Sequence, residues 1–208
     1  MSLSAPDARL EMEQARWNRA YRDPVWRRTR FNARPNALLV ETVRFLPPGR
    51  ALDVHMGEGR NALHLAALGW QVTGVDVAEQ GLAYAHQQAH ARGLTLTTHA
   101  QDSRRYAWGP ACWDLLVLCY TDEDDHAAQA ARALRPGGRV VFENFHAEVN
   151  AAREHVPNQR IGFASGELPA RYAAAGFDIL QYEEPLAVAD FSLETQRLVR
   201  LVARRRPD

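Results

Sequence analysis

The sequence predicts an α/β fold, in which a mostly parallel sheet of seven strands has helices on both faces. Short apolar runs alternate with helix-like periodicity over residues 51–145, and such alternation implies parallel strands joined by helices. The first run, residues 51–54, leads into a glycine-spaced turn, Gly57-x-Gly59, and a second run ends in Asp76. This order of strand, glycine turn, helix, strand and acid is typical of sheets that bind a nucleoside-containing cofactor.

Two helices are expected before this sheet. Residues 7–21 and 35–45 have helical periodicity, and Asp23-Pro24 is expected to break the chain after the first of them. We therefore divide the chain into an N-terminal helical cap, residues 1–46, and a Rossmann-like domain, residues 47–208.

The remaining elements follow from the same patterns of period two and period 3.6. The predicted strands are 51–55, 71–76, 94–99, 113–119, 139–145, 177–182 and 197–203. The predicted helices are 60–68, 79–92, 123–134 and 166–175. Residues 146–164 are polar and are expected to be irregular.

Composition limits the classes of protein. The 208 residues are 46% hydrophobic and 24% charged, which suits one folded domain, or one domain with a small appendage. The net charge of zero provides no general attraction to nucleic acid or to anionic lipid, so neither partner is expected. The chain contains no lysine, which excludes Schiff-base and Walker-A chemistry.

The location is expected to be cytoplasmic. No apolar run approaches the roughly 18 residues of a membrane span, and the N-terminus lacks the order of a signal peptide. Cys112 and Cys119 are the two cysteines, and they fit reduced thiols better than a disulfide framework. The bias toward arginine and alanine indicates a GC-rich bacterial genome.

Two cofactors compete for the glycine turn. The segment Gly57-x-Gly59-x-x-Ala62 satisfies the dinucleotide fingerprint, so an NAD-dependent oxidoreductase is one reading. However, Asp53 at the end of the first strand would repel a pyrophosphate. An acid there suits a cationic cofactor, and S-adenosylmethionine carries a sulfonium and an ammonium group.

Three motifs resemble those of class I S-adenosylmethionine-dependent methyltransferases. They are Asp53-x-x-x-Gly57-x-Gly59-Arg60-Asn61, then Val72-Thr-Gly-Val-Asp76, and Leu134-Arg-Pro-Gly-Gly-Arg139 before a strand. The pattern is most similar to small bacterial enzymes of the TehB (tellurite-resistance) and thiopurine-methyltransferase-like kinds, over roughly residues 35–205.

The resemblance implies a Rossmann-like class I methyltransferase fold with an antiparallel C-terminal strand. It also implies S-adenosylmethionine as cofactor, S-adenosylhomocysteine as product, and a small-molecule acceptor with a sulfur, oxygen or chalcogen nucleophile. The protein is expected to be a monomer or a homodimer.

The expected cofactor-binding residues follow the first four strands or lie near their ends. Asp76 can accept both hydrogen bonds of a ribose diol, or can cap the helix that begins near Glu79. In the resemblance, the acid at Asp102 contacts the adenine amino group; otherwise it caps a short turn. The full set is Asp53, His55, Gly57, Gly59, Asp76, Val77, Asp102, Ser103 and Cys119.

His55 is where the chain departs from the family, which has a glycine at this position. An imidazole here could crowd the methionine end of the cofactor, or could donate a hydrogen bond to the cofactor carboxylate. The crowded case would leave a non-catalytic cofactor-binding pseudoenzyme.

The acceptor is expected to contact Tyr21, Arg60, Tyr120 and His146. His146 follows the fifth strand and is the candidate general base. His86 and His90 have ligand spacing without a third ligand, so no metal site is expected. Residues 119–122, Cys-Tyr-Thr-Asp, lack the Asn/Asp-Pro-Pro-Tyr/Phe pattern of enzymes that methylate nucleic-acid amines.

Overall fold

A computed structural model describes residues 5–121, 126–152 and 161–207. Within these ranges the chain forms one sheet of eight strands. The strands are β1 (Arg50–Val54), β2 (Gln71–Asp76), β3 (Thr97–Ala100), β4 (Trp113–Cys119), β5 (Leu134–Phe145), β6 (Phe177–Glu183), β7 (Leu186–Val188) and β8 (Thr195–Arg205). The helices are α1 (Ala5–Arg22), α2 (Pro24–Arg30), α3 (Ala37–Val43), α4 (Arg60–Ala67), α5 (Glu79–Ala91), α6 (Ala127–Ala133) and α7 (Glu167–Ala174), with a 3-10 helix at Ala147–Ala152.

The strand order is β3-β2-β1-β4-β5-β8-β6, and β7 pairs with β8 beside this path. Strands β1 to β5 pair in parallel, whereas β8 is antiparallel to β5, β6 and β7. The mostly parallel sheet with an antiparallel C-terminal strand is therefore confirmed. The carboxyl ends of β1 to β5 meet at one edge, where open α/β sheets bind ligands.

Successive side chains of the inner strands face opposite sides of the sheet. Leu52, Leu116 and Leu118 pack into one buried cluster with α6 and α7. Leu115 and Val117 pack into the other with α3, α4 and α5. Both faces of the sheet are thus covered by helices, which explains why the central strands β1 and β4 are mostly apolar.

The expected break at Asp23-Pro24 is confirmed, because α1 ends at Arg22. The same pair also starts α2, a helix that the sequence patterns do not predict. Oδ1 of Asp23 accepts hydrogen bonds from the backbone N–H groups of Val25 (2.8 Å) and Trp26 (3.1 Å). Proline suits the first helical position, because its missing N–H would have no intrahelical partner there.

Other differences concern element ends. Strand β7 has three residues, too few for an alternating pattern to predict. The 3-10 helix lies inside the segment expected to be irregular. Helix α6 begins at Ala127, and residues 123–125 of the helix predicted there lie outside the described residues.

Helix α3 buries Leu38, Leu39 and Val43 in the same cluster as residues of the sheet. The cap boundary at residue 46 remains a prediction. Across the described ranges, no helix is long and apolar enough to cross a bilayer. The same ranges contain no cluster of three or more His, Cys, Asp or Glu side chains that could hold a metal ion.

Candidate cofactor and acceptor site

Asp76 ends β2 and fixes the glycine turn after β1. Its Oδ2 accepts a hydrogen bond from the Gly57 N–H (2.8 Å), and its Oδ1 accepts one from the Ala78 N–H (2.8 Å). Burial raises the pKa of Asp76, and the nearby His55 and the backbone N–H groups oppose this rise. Each carboxylate oxygen keeps acceptor capacity for a ligand, so the capping and ribose-binding roles are compatible.

Gly57 and Gly59 both have left-handed backbone, with φ of 54° and 76°. A β-carbon at Gly57 would overlap the hydroxyl oxygen of Tyr21, and one at Gly59 would lie 2.9 Å from Cβ of Ala85. Conformation and space therefore both require glycine at these two positions.

Asp53 is buried in β1 beneath the glycine turn. Among the described residues, its Oδ2 has no hydrogen-bond partner. Burial raises its pKa to about 7, although the charge of Arg60 and the Ala62 N–H lower it. A buried acceptor without a partner is costly, and a cationic ligand would remove that cost.

His55 follows β1 with a left-handed backbone, φ 58°. The family's glycine would adopt this conformation without strain. Nε2 of His55 lies 2.8 Å from Oγ of Ser103. The imidazole is therefore directed toward the segment that follows β3.

Asp102 and Ser103 follow β3 as predicted. The Asp102 carboxylate accepts hydrogen bonds from the backbone N–H (2.9 Å), Nε (3.1 Å) and Nη2 (3.1 Å) of Arg104. Burial raises the pKa of Asp102, but the Arg104 hydrogen bonds outweigh it and lower the pKa overall. Ser103 is buried, and Val77 is half-buried beside Asp76.

The side where the acceptor is expected contains a buried carboxylate, Glu143, that the sequence analysis does not identify. Oε1 of Glu143 accepts hydrogen bonds from Nδ2 of Asn36 (2.8 Å) and from the Tyr120 hydroxyl (2.8 Å). Its Oε2 accepts one from Nε of Arg200 (2.5 Å). In the sequence, the feature that points to Glu143 is its position as an isolated acid inside the apolar run of β5.

Asp190 extends this network to α4. It forms an ion pair with Arg60 (2.6 Å) and accepts hydrogen bonds from Nδ2 of Asn36 (2.9 Å) and Nδ2 of Asn32 (2.8 Å). Its backbone N–H also donates to the Tyr120 hydroxyl (3.0 Å). Arg60 and Tyr120, both expected at the acceptor site, are thus held together by Asp190.

Tyr120 follows β4 with a left-handed backbone, φ 56°. Burial raises the pKa of its hydroxyl, and the charges of Glu143 and Asp190 raise it further. Burial also raises the pKa of the Cys119 thiol, which disfavours a thiolate nucleophile.

His146 follows β5 and is buried. Its Nδ1 accepts a hydrogen bond from the Glu148 N–H (3.2 Å), and its Nε2 lies 3.1 Å from Oγ of Ser165. The Ser165 hydroxyl donates to Glu184 (2.8 Å). This arrangement fits the neutral tautomer with the proton on Nε2, because Ser165 then accepts from the ring.

Tyr21 reaches the glycine turn from α1. Its ring stacks on Phe31 with 5.8 Å between centroids, and Phe31 contacts Phe191 at 5.2 Å. Phe191 contacts Phe145 at 6.3 Å. Aromatic side chains therefore run from the glycine turn to the end of β5.

Comparisons with known proteins agree with this geometry. Residues 51–138 match the family model described as a methyltransferase domain. The chain is 32% identical to demethylmenaquinone methyltransferase of Deinococcus radiodurans over 105 residues, which are 47% of this chain and 44% of the relative. It is 31% identical to TehB of Haemophilus influenzae over 64 residues, 31% of this chain and 22% of that protein. The chain spans less than half the length of each of these curated relatives.

Solved structures show the same fold. A structure from work on the conversion of a disulfide bond into a thioacetal group during echinomycin biosynthesis superposes with a TM-score of 0.70 at 24% identity, covering 93% of both chains. Crystalline Haemophilus influenzae TehB superposes with a TM-score of 0.67 at 19% identity, covering 82% of this chain and 62% of that one.

Residues 51–138 match a methyltransferase domain, and the sheet order and the glycine turn agree with the S-adenosylmethionine-dependent methyltransferases among the similar proteins. The likeness to TehB, in sequence over 64 residues and in fold, confirms the predicted resemblance.

Proposed function

We propose that the chain binds S-adenosylmethionine at the carboxyl ends of β1 to β4 and transfers its methyl group to a small-molecule acceptor. The observation that carries the proposal is the buried Oδ2 of Asp53, which has no hydrogen-bond partner among the described residues. A second buried acid, Asp76, ends the adjacent strand β2. Two neighbouring acids in a dry site favour a cationic ligand.

The residues present fit this cofactor. Asp76 would accept the ribose hydroxyls, Asp53 would face a cationic group, and Val77 would pack on the adenosine. Asp102 and Ser103 would lie at the base. The same Asp53 disfavours the NAD alternative, because a pyrophosphate beside it would bring like charges together.

The pseudoenzyme alternative rested on crowding by His55. The imidazole contacts Ser103, beyond β3. This direction supports a site that can bind the methionine end of the cofactor, where the sulfonium would lie.

When bound, S-adenosylmethionine supplies an electrophilic methyl group. The contribution of the chain is to hold an acceptor in line with that group, and Tyr21, Arg60 and Tyr120 are the proposed acceptor contacts. Both ring nitrogens of His146 are already engaged, so a proton could reach the ring only after the backbone contact to Nδ1 broke. We therefore favour a soft nucleophile that needs no strong base, such as sulfur or a heavier chalcogen. The neighbour from the thioacetal work also concerns sulfur chemistry.

Calorimetric titration with S-adenosylmethionine, S-adenosylhomocysteine and NAD tests the proposal. We expect binding of the first two and no binding of NAD. Binding of NAD alone would overturn it. A cytoplasmic location, a bacterial source and a monomer or homodimer remain predictions.

Asp76→Ala should lower S-adenosylhomocysteine affinity at least about tenfold, because charge-assisted hydrogen bonds contribute roughly 1.5–3 kcal/mol each. Asp178→Ala is the matched control. That acid also accepts hydrogen bonds, from Arg204 and Arg206, but it lies on β6, which the proposed site does not include. Equal affinity of a folded Asp76→Ala protein and the control would exclude this cofactor pose.

A further inference from the structure

His55 bridges two strands that are not neighbours. It follows β1, whereas Ser103 follows β3, and β2 lies between these strands. Adjacent strands are about 4.8 Å apart, so the 2.8 Å contact between His55 and Ser103 crosses the carboxyl end of β2. Asp76 stands at that end. His55 also interacts electrostatically with both Asp76 and Asp102.

This placement is maintained against backbone strain. A left-handed conformation is strained for a residue with a β-carbon. Such strain persists where surrounding contacts determine the conformation, and it concentrates at functional sites. Glycine would remove the strain but also the bridge. A function at this position would therefore depend on the imidazole side chain of His55.

We propose that His55 is a specificity-determining residue for the nucleoside half of the cofactor and takes no part in binding the methionine half. The inference rests on the proposed function. Ser103 holds Nε2 of the imidazole, and within the described part of the chain Nδ1 makes no hydrogen bond to protein. Nδ1 is thus the ring nitrogen offered to a nucleoside bound between Asp76 and Asp102.

The test compares two ligands that share a nucleoside. S-adenosylhomocysteine has the amino-acid end, and 5′-methylthioadenosine lacks it. His55→Gly and His55→Asn should lower the affinity for both ligands by the same factor, about tenfold. Asparagine is the matched variant, because it tolerates left-handed backbone better than most residues but is too short to reach Ser103. A loss of affinity for S-adenosylhomocysteine alone would place His55 at the methionine end and overturn the inference.

Stability separates a binding role from a merely structural one. His55→Gly should unfold at the same or a higher denaturant concentration, because it relieves strain, while its affinity falls. Ser103→Ala should reproduce part of the affinity loss, and the double variant Ser103→Ala/His55→Asn should lose less than the sum of the single losses. Additive losses would contradict the bridge.

The outcomes also distinguish the two proposals. A wild-type protein that binds neither ligand refutes the proposed function. A wild-type protein that binds both, with His55 variants of unchanged affinity, refutes only the role of His55.

Discussion

The proposed nucleoside half and the proposed acceptor half of the site are built in different ways. The nucleoside half uses residues close in the chain: the Asp76 carboxylate binds Gly57, 19 positions away, and His55 contacts Ser103, 48 positions away. In the acceptor half, Asn36 binds Glu143 across 107 positions and Asp190 across 154. One half depends on a local motif, and the other depends on the whole fold.

The chemistry of the two halves follows from this difference. Backbone N–H groups and glycines dominate the nucleoside half, and within the described ranges Oδ2 of Asp53 has no hydrogen-bond partner. In the acceptor half, side chains satisfy one another, because a buried carboxylate such as Glu143 needs several donors to offset its desolvation. We therefore expect the first half to respond to ligand and the second to determine stability.

The largest effect should come from Glu143→Ala. Removing this buried carboxylate takes one acceptor from buried Asn36, which also binds Asp190, and one each from half-buried Tyr120 and Arg200. Losing one partner of a buried pair costs about 3–5 kcal/mol, and denaturant unfolding would measure the loss.

Glu143→Gln is the control for that change. It keeps Oε1 as acceptor for Asn36 and Tyr120 but removes the charge paired with Arg200. Its loss should be smaller than that of Glu143→Ala. A stability loss below about 1 kcal/mol for Glu143→Ala would show that the acceptor half does not stabilise the fold. That result would contradict the difference proposed between the two halves.

Asp53 should give the next largest effect, as a dependence on pH. Its pKa is raised to about 7 from an ordinary value of 3.8, so between these values the folded state binds a proton that the unfolded chain releases. Stability therefore falls as pH rises from about 4 to about 7 and is level above that. Each pKa unit corresponds to about 1.4 kcal/mol, so Asp53→Asn should be a few kcal/mol more stable than wild type at pH 8.

Binding of the cofactor should offset the destabilisation that comes from ionising the buried Asp53. A bound cation lowers the pKa of Asp53, so S-adenosylmethionine should bind with release of a proton near pH 6.5 and with affinity that rises from pH 5 to 7. Calorimetry in two buffers of different ionisation enthalpy measures the released proton. Asp53→Asn should bind without proton release, and a wild type that behaves like this variant would contradict the role of Asp53.

The same difference explains what the sequence could predict. Asp76, the glycine turn and Asp102 follow strands at readable spacings, so their placement at one edge required only the strand pattern. The direction of the His55 ring was open, because it depends on Ser103 after β3. Asn36 and Asp190 carry no local signal in the sequence, since their roles exist only once the start of α3 meets the segment before β8.

Arg27 should give the smallest effect, although it joins α2 to the glycine turn. Its guanidinium binds both carboxylate oxygens of Glu58, between Gly57 and Gly59, and lies 3.7 Å from the ring centroid of Tyr84. The side chains of Arg27 and Glu58 are 25% and 30% exposed, so solvent screens the pair. Arg27→Ala should cost about 1 kcal/mol of stability or less.

The effect of Arg27 variants on cofactor affinity tests whether α2 belongs to the nucleoside half. If α2 only covers the glycine turn, Arg27→Ala should lower S-adenosylhomocysteine affinity two- to threefold, because Glu58 loses its ion-pair partner while Asp76 still binds Gly57. Arg27→Lys retains the charge but not the two-pronged contact, so it should fall between wild type and Arg27→Ala, and the differences should shrink at high salt. An affinity loss as large as that of Asp76→Ala would mean that α2 belongs to the cofactor site, and the nucleoside half would then depend on distant residues as the acceptor half does.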